Sequence, residues 1–228
     1  GGKLAKLVDG LKRPVDMQVA DFNGDGTMDY LLCEYGYQAG QLVWVDGKSK
    51  ERHLLKSQPG ARNVIINDLS KDGKPDIIVL MAEAKEGVSV FINKGQGLFV
   101  EKPLLQFESV WGSSFMEVAD LNQDGFLDMY ISNDFNEEDY LYMNNGDGTF
   151  TNSIKKATDH VSLFSMGSDA ADINNDGLID IYTLDMLPAT NERIKLSSGD
   201  DNYDKYQMLI GAGFHHQTTR NMLQLNNG

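Results

Sequence analysis

The chain has 228 residues, of which 41% are hydrophobic, and it carries a formal net charge of −14 at pH 7. This length and apolar content suit one or two domains with a buried core, and no apolar run approaches the roughly 18 residues of a membrane-spanning helix. The acidic balance, with no basic face in the sequence, argues against a nucleic-acid partner. Cys33 is the only cysteine, which excludes an internal disulfide framework, and its apolar surroundings predict a buried core residue.

The first recognisable element is an acidic loop, ADFNGDGTMDY at residues 20–30, and the same pattern returns three times along the chain. The later copies are NDLSKDGKPDI at 67–77, ADLNQDGFLDM at 119–129 and ADINNDGLIDI at 171–181. The four copies are called loops 1 to 4. Their leading aspartates are 47, 52 and 52 residues apart, and a near-constant period of this size indicates a repeat architecture. A second motif recurs in phase with the loops, as VFINKGQGLF, LYMNNGDGTF and, in part, LQLNNG.

Short strands are predicted on both sides of every acidic loop. The runs that follow the loops, YLLCEY, IIVLMA, MYISND and IYTLDM, are apolar, β-branched and aromatic. The third period divides into four such pieces, at 113–120, 127–133, 139–145 and 149–154. Four antiparallel strands in each period of about 50 residues predict an all-β fold of the β-propeller class, with four-stranded blades.

Four blades are encoded, and they are predicted to form a single β-propeller domain over residues 1–228. Their predicted ranges are about 14–57, 61–104, 113–155 and 164–228. A segment at 3–8 could supply the last strand of the fourth blade and close a four-bladed ring through both termini. The alternatives are part of a larger propeller and a ring shared in an assembly with other chains.

An insertion at 187–220 interrupts the fourth blade and is too long for a hairpin loop. A polar start, an apolar face and a terminal glycine predict a short helix around 202–210. Long excursions from a rigid scaffold often carry binding residues. His215 and His216 lie here, but neighbours in an extended segment point to opposite faces. Structural or solvated roles are therefore predicted for them, not a paired metal or catalytic role.

The acidic loops carry oxygen ligands at the spacing that a hard cation needs. Side chains at loop positions 1, 3, 5 and 9 and the backbone carbonyl at position 7 converge when the chain curls, and glycine at position 6 permits the turn. No loop contains His or Cys, which disfavours zinc and copper, and the oxygen set fits calcium better than magnesium. The position-12 glutamate and the flanking helices of an EF-hand are missing. Up to four Ca²⁺ ions are therefore predicted.

The predicted ligands occupy the same positions in each loop. They are Asp21, Asn23, Asp25, Thr27 and Asp29 in loop 1; Asp68, Ser70, Asp72, Lys74 and Asp76 in loop 2; Asp120, Asn122, Asp124, Phe126 and Asp128 in loop 3; and Asp172, Asn174, Asp176, Leu178 and Asp180 in loop 4. The alternative is an ion-free Asx turn, which Asn, Asp and Gly favour unaided. This alternative is strongest for loop 2, which has Ser70 at position 3 and lysines at 71 and 74.

Together, the acidic loops and the NNGDGTF motif resemble FG-GAP/VCBS repeats. These are the calcium-loop blades of integrin α-subunit heads and of many bacterial secreted or surface proteins, and the resemblance covers nearly the whole chain. It implies calcium ligation by Asp21, Asn23, Asp25 and Asp29 and their equivalents, and it points to a bacterial surface-associated protein. Members of this family usually close with more blades than the four encoded here.

These features favour an extracellular, calcium-stabilised binding or adhesion scaffold over an enzyme, and no catalytic residue is predicted. Without the bidentate glutamate, the sites should bind calcium with micromolar to millimolar affinity and should fill outside cells. The expected partner is a protein, or a glycan contacted through aromatic residues such as Tyr35, Tyr37, Trp44 and Trp111.

Two alternatives stay open. If the strands before the acidic loops line a propeller channel, the channel is acidic at Asp16, Glu117 and Asp169. A carboxylate pair there suggests a carbohydrate-active lyase or hydrolase, although a solvated channel lining is the simpler interpretation. The other alternative is a structural subunit of a larger surface assembly.

Overall fold

The computed structural model describes residues 8–36, 38–83, 85–107, 112–134, 137–197 and 203–228. The chain divides into two compact units, Gly1–Val110 and Trp111–Gly228, and each is considered by itself. Residues 3–7 of the predicted terminal strand, Tyr37 and Trp111 lie outside the described residues. The single propeller domain stays a prediction, and its closure through the two termini stays one of the alternatives.

Unit 1 contains two four-stranded antiparallel sheets, each formed by strands that are consecutive in sequence. The first sheet consists of β1 (Pro14–Ala20), β2 (Asp29–Glu34), β3 (Gln41–Val45) and β4 (Arg52–Lys56). The second consists of β5 (Ala61–Asn67), β6 (Asp76–Met81), β7 (Gly87–Asn93) and β8 (Phe99–Gln106). Loops 1 and 2 join the first strand of each sheet to the second, so the predicted strand-to-strand setting of the acidic loops is confirmed.

The core of unit 1 is formed by side chains from both of its sheets. Phe22 from loop 1 and Cys33 from the first sheet belong to the same buried cluster as Val79 and Phe91 from the second sheet. All six residues of β6 are buried, which explains why the run after loop 2 is apolar throughout. Cys33 is confirmed as a core residue, and burial raises the pKa of its thiol well above the ordinary value.

Trp44 corrects one prediction. Its side chain is only 2% exposed and its ring stacks on His53, with ring centroids 4.0 Å apart. A tryptophan buried in the core in this way is not a surface aromatic for glycan contact.

Unit 2 contains a third sheet of four strands and, within the part of the chain that is described, a sheet of three. The four strands are β9 (Ser113–Ala119), β10 (Asp128–Asn133), β11 (Tyr140–Asn144) and β12 (Phe150–Asn152). They are followed by α1 (Ile154–Ala157), β13 (Val161–Ser162), β14 (Gly167–Ala171) and β15 (Asp180–Leu184). The predicted strand at 149–154 ends early, because Ile154 begins α1 and its buried side chain packs with Leu141 and Val161 in the core of unit 2.

The insertion contains α2 (Asn191–Ser197), α3 (Tyr203–Gly211) and β16 (Gln217–Thr218), and is followed by β17 (Met222–Gln224). Strand β17 pairs with β15 and completes the three-stranded sheet β14-β15-β17, whereas β16 pairs in parallel with β13. The predicted helix around 202–210 is confirmed as α3, but α2 and the β13–β16 pair were not predicted. Among the described helices, none has the length and apolarity needed to cross a membrane.

Candidate functional site

In each acidic loop the backbone folds around the carboxylate of the position-1 aspartate, which accepts N–H bonds from later residues of the loop. In loop 1, Asp21 Oδ1 accepts the N–H of Asp25 at 3.1 Å and Oδ2 accepts the N–H of Gly26 at 2.8 Å. Loops 2, 3 and 4 repeat both bonds at distances of 2.8–3.0 Å. The glycine at position 6 has a φ between +80° and +88° in all four loops, which explains the choice of glycine there.

Positions 3 and 5 bring their side chains to the same point. In loop 3 the Asp124 N–H donates to both Asp120 Oδ1 and Asn122 Oδ1, at 3.0 and 3.1 Å, and Asn122 Nδ2 donates to Asp124 Oδ2 at 2.9 Å. Loop 4 has the same three contacts. Two side-chain oxygens therefore accept the position-5 N–H, and the position-5 carboxylate accepts the position-3 amide group, so three oxygen-bearing side chains meet in each of these loops. Such an oxygen set is of the kind that calcium takes.

Loop 1 has an additional carboxylate that the sequence analysis missed. Asp46, in the turn between β3 and β4, accepts the Asn23 Nδ2–H at 2.8 Å. The ammonium of Lys48, from the same turn, lies 3.9 Å from the Asp25 carboxylate. Asp46 was missed because it belongs to a hairpin outside the D-x-N-x-D-G pattern, and only the folded sheet brings that hairpin to the loop.

The position-9 aspartate is a buried clamp between each loop and a later part of its sheet. Asp29, Asp76, Asp128 and Asp180 are all 0% exposed. One oxygen of each carboxylate accepts an N–H from the start of the loop, and the other accepts an N–H from the third strand or the turn that follows it. The two distances are 2.9 and 2.8 Å in loop 1, 2.9 and 2.7 Å in loop 2, 3.0 and 2.8 Å in loop 3, and 3.0 and 2.8 Å in loop 4.

These contacts show that the predicted ligands fall into two sets, which differ in burial and in hydrogen-bond partners. Positions 1, 3 and 5 gather at the exposed rim of the loop, while position 9 binds backbone amides in the interior. Across the described residues, no three His, Cys, Asp or Glu side chains group together as a metal site. Calcium ligation by positions 1, 3, 5, 7 and 9 therefore stays a prediction.

Loop 2 differs from the others because it contains its own cation. The ammonium of Lys74, at position 7, lies 2.6 Å from the Asp72 carboxylate. This hydrogen bond is the largest cause of a lowered pKa at Asp72. A lysine that already neutralises a position-5 carboxylate weakens the electrostatic need for a bound divalent cation in this loop.

The insertion forms the walls of the second candidate site. A cavity of about 710 Å³ lies between α3 and the chain around β16. The residues around it are aromatic, aliphatic, hydroxyl-bearing, basic or, at Gln217, an amide, and none is acidic: His160, Leu163, Tyr203, Lys205, Tyr206, Leu209, Ile210, His215, Gln217, Thr218, Thr219 and Arg220. No residue of α3 is buried, which leaves the inner face of the helix open to this space.

The two histidines of the insertion have separate partners. This agrees with the prediction that neighbouring residues in an extended segment point to opposite faces. His215 Nε2 lies 3.0 Å from the Thr158 carbonyl oxygen, and burial is the main cause of its lowered pKa. His216 Nδ1 lies 2.6 Å from the Tyr206 hydroxyl. The positive charges at the cavity therefore come chiefly from Lys205 and Arg220, because a histidine with a lowered pKa is neutral at pH 7.

In unit 2 the charge of one acidic residue of the pre-loop strands affects the pKa of another. Burial and the negative charge of Asp169, in that order, raise the pKa of the half-buried Glu117 to about 7. Glu117 lies on β9 and Asp169 on β14, which are neighbouring strands. In unit 1, by contrast, Asp16 Oδ2 accepts hydrogen bonds from Asn63 Nδ2 and the Val64 N–H, both at 2.9 Å.

Replacing Glu117 with glutamine should flatten part of the pH dependence of stability. A carboxyl whose pKa is raised in the folded state binds more protons there than in the unfolded chain, so its contribution to stability falls as the pH rises from about 4.5 to about 7. We expect Glu117→Gln to unfold at higher urea concentration than the wild type at pH 8, and the gap to shrink at pH 5. Asp139, whose pKa burial raises to about 7, is common to both proteins and cancels in the comparison. An equal gap at both pH values would contradict the assignment.

The sheets and the loops together define a class of protein. It is an all-β repeat protein in which each repeat forms an antiparallel sheet. Each repeat has an acidic loop, turned by a glycine, between its first two strands. The chain belongs to the FG-GAP-like repeat family, and matches to that repeat cover residues 21–79, 68–131 and 120–183.

Two solved structures match part of this chain. One is an Agrocybe aegerita lectin described for specific recognition of non-reducing terminal N-acetylglucosamine, with 20% identity and a TM-score of 0.45 over 74% of this chain and 46% of that chain. Another is the V. cholerae biofilm matrix protein Bap1, with 20% identity and a TM-score of 0.44 over 75% of this chain and 28% of that chain. The chain thus spans less than half the length of either protein.

Proposed function

We propose that this protein is a non-catalytic, calcium-stabilised binding scaffold and that the cavity of its insertion binds a carboxylate-bearing saccharide. The observation that carries the proposal is the composition of the cavity wall, which combines basic and aromatic side chains without an acidic one. In this proposal the acidic loops stabilise the fold, and the insertion binds the ligand.

The charge of the cavity wall selects an anionic ligand. The chain has 34 acidic and 20 basic residues, so acidic residues are expected in the lining of a cavity of this size. This cavity has none. Among the contacts of the described residues, neither the Arg220 guanidinium nor the Lys205 ammonium has a hydrogen bond or an ion pair. Arginine and lysine bind carboxylates by charge-assisted hydrogen bonds, and arginine can do so with two parallel bonds.

The aromatic and aliphatic side chains select a ring-shaped ligand. Tyr203 is 73% exposed, and Tyr206, Leu209 and Ile210 line the same wall. Binding cavities of this kind usually combine an apolar lining with a few polar groups that orient the ligand. A uronic acid offers both the C–H face of a sugar ring and a carboxylate, so it satisfies the two parts of this wall together.

Extracellular residence, in a bacterium, is part of the same proposal. Loops that lack a bidentate glutamate bind calcium with modest affinity, so they fill where calcium is abundant and stay largely empty in the cytosol. Saccharides that bear carboxylates are also ligands that a surface or secreted scaffold meets.

The ligand proposal is tested by calorimetric titration with trigalacturonic acid and with its neutral methyl ester. We expect saturable binding of the acid only, and a loss of at least about tenfold in affinity for Arg220→Gln, because one charge-assisted contact contributes roughly 1.5–3 kcal/mol. The calcium concentration is held constant, since uronates bind the ion themselves.

A matched control comes from α2. Arg193→Gln removes the same charge from an exposed arginine that does not line the cavity, and it should bind like the wild type. Equal binding of the acid and its ester, or equal losses in the two arginine variants, would contradict the proposal.

One observation favours a second candidate, a carbohydrate-active lyase or hydrolase. Glu117, with a pKa of about 7 next to Asp169, has the protonation behaviour of a general acid. Polysaccharide cleavage that is abolished in Glu117→Gln and retained in Arg220→Gln would favour this candidate over the binding scaffold.

A further inference from the structure

The wall of the insertion cavity has two sides, and the strand side is firmly held. It is formed around the paired strands β13 and β16, where the Val161 N–H donates to the His216 carbonyl oxygen at 2.9 Å and the Leu163 N–H donates to the Thr218 carbonyl oxygen at 3.1 Å. Leu163 is 6% exposed and Gln217 is 5% exposed, so these lining residues belong to the interior of unit 2. Backbone pairing and burial together make the strand side a stable part of the fold.

The helix side of the cavity, formed by α3, is held much less firmly. None of the nine residues of α3 is buried. Its four half-buried residues all line the cavity, and their spacing places them on one face of the helix: Lys205, Tyr206, Leu209 and Ile210. A helix of this length is marginal in water, because most helical stability in proteins comes from the packing of an apolar face. The apolar face of α3 borders the cavity instead of a packed core, so α3 is an element of low local stability.

A pivot for α3 lies in the turn where the helix ends. Gly213 has a φ of +93°, a conformation that favours glycine, and its N–H donates to the Ile210 carbonyl oxygen at 3.0 Å. The chain is anchored at the end of this turn, since the Lys155 ammonium donates to the Gly213 carbonyl oxygen and the His215 N–H donates to the Glu138 carboxylate. A change of backbone angles within the turn therefore moves α3 and leaves the strand side in place.

The two basic side chains of the cavity come from different sides. Lys205 belongs to α3, whereas Arg220 follows β16 on the strand side. A carboxylate that is held by the Arg220 guanidinium still has lone pairs that can accept hydrogen bonds from an ammonium group. Two cations facing each other without an anion repel, and a carboxylate between them replaces this repulsion with two attractions. A bound carboxylate therefore draws α3 towards the strand side.

We propose that α3 is a lid that closes over the bound saccharide, and that its Lys205 completes the carboxylate contact that Arg220 begins. The lid depends on the proposed function, since its ligand is the same carboxylate-bearing saccharide. The sugar ring supplies a packing partner for Leu209 and Ile210, and the carboxylate joins the two sides of the cavity. The ligand favours the closed position because only that position lets it contact both sides at once. Closure also excludes water, which strengthens the charge-assisted contacts.

Hydrogen exchange of the full chain, followed by mass spectrometry, tests the lid with trigalacturonic acid as the probe. We expect the amides of α3 to exchange at least about tenfold more slowly when the acid is bound, and to keep their rates with the neutral methyl ester. The amides of α2 are the internal control, because its described residues are not among those that line the cavity, and their rates should not change. Calorimetry on the same samples, at constant calcium concentration, reports binding independently of exchange.

A matched pair of lysine variants tests the role of Lys205. Lys205→Gln removes the charge from α3 and keeps Arg220, so we expect about tenfold weaker binding of the acid and the loss of most of the slowing in α3. Lys195→Gln removes the same charge from an exposed lysine of α2 and should behave like the wild type in both measurements.

The calorimetric and exchange results together separate the lid from the proposed function. Binding of the acid without slower exchange in α3 would overturn the lid and leave the proposed function intact, whereas an absence of binding would overturn both. Equal slowing in α2 and α3 would indicate a general stabilisation by the ligand and would contradict the lid. Equal behaviour of the two lysine variants would contradict the role of Lys205.

Discussion

Removal of calcium by excess chelator is expected to lower the melting midpoint of this protein by roughly 10 °C relative to millimolar calcium chloride. A ligand that binds only the folded state stabilises it by RT ln(1 + [L]/Kd), which is about 1 kcal/mol per site when calcium is a few times above Kd. Several such sites together contribute about 3–4 kcal/mol, and each kcal/mol moves the midpoint by roughly 2–4 °C in a chain of this size. Scanning calorimetry in the two buffers measures the difference.

The position-5 aspartates offer a matched control for this experiment. Asp25, Asp124 and Asp176 each accept the position-7 N–H through Oδ1, and asparagine can keep that bond while losing the charge. The triple Asp→Asn variant should lose most of the calcium-dependent shift. Asp72→Asn in loop 2 should lose little, because Lys74 already pairs with Asp72.

An unchanged midpoint in chelator would mean that the Asx-type hydrogen bonds hold the loops without an ion. The calcium proposal would then fail, and the argument for extracellular residence would fail with it. The saccharide proposal rests on other residues and would not be affected.

Replacing Asp76 with alanine should lower the free energy of unfolding by roughly 2–4 kcal/mol, in calcium and in chelator alike. Asp76 is fully buried and accepts N–H bonds from Ser70 and Asn93 at 2.9 and 2.7 Å. Alanine leaves both amides without their acceptor, at a cost of about 1–3 kcal/mol for each one that stays buried. Urea denaturation in both buffers measures the loss.

Asp68→Ala is the control for Asp76→Ala. Asp68 accepts two N–H bonds at 3.0 and 2.8 Å in the same loop, but it is exposed, so water can replace its carboxylate at a cost of less than about 1 kcal/mol. If Asp76→Ala destabilises the protein only when calcium is present, Asp76 acts as a metal ligand and not as a structural clamp.

The repeated elements could be predicted from the sequence because their signals are local. The glycine at position 6, the alternating oxygen-bearing residues before it and the apolar run after it lie within a dozen residues, and they recur in every period. These features reveal the strand-loop-strand unit and the convergence of positions 1, 3 and 5. Position 9 belongs to the same local pattern, but the pattern does not tell a ligand from a buried clamp, because one of its two N–H partners lies outside the loop, in the third strand or the turn that follows it.

The insertion could be predicted only in part. The amphipathic pattern located α3, but the two-residue pairing of β13 with β16 has no periodicity to detect. The basic cavity was not predicted, because Lys205 and Arg220 are isolated charges in the sequence and only the turn of the chain after α3 brings them to one wall.

The sequence by itself determined the four periods, the all-β class and the acidic loop with its converging side chains, because backbone preference and side-chain spacing act over a few residues. The tertiary structure alone decided which carboxylates are buried clamps, that Trp44 is core, that Asp46 joins loop 1, and that Lys205 and Arg220 line one cavity. Those outcomes depend on hydrogen bonds and packing between residues that are 16 to 105 positions apart in the chain. Such contacts form only when neighbouring hairpins and sheets come together, so no window of the sequence contains them.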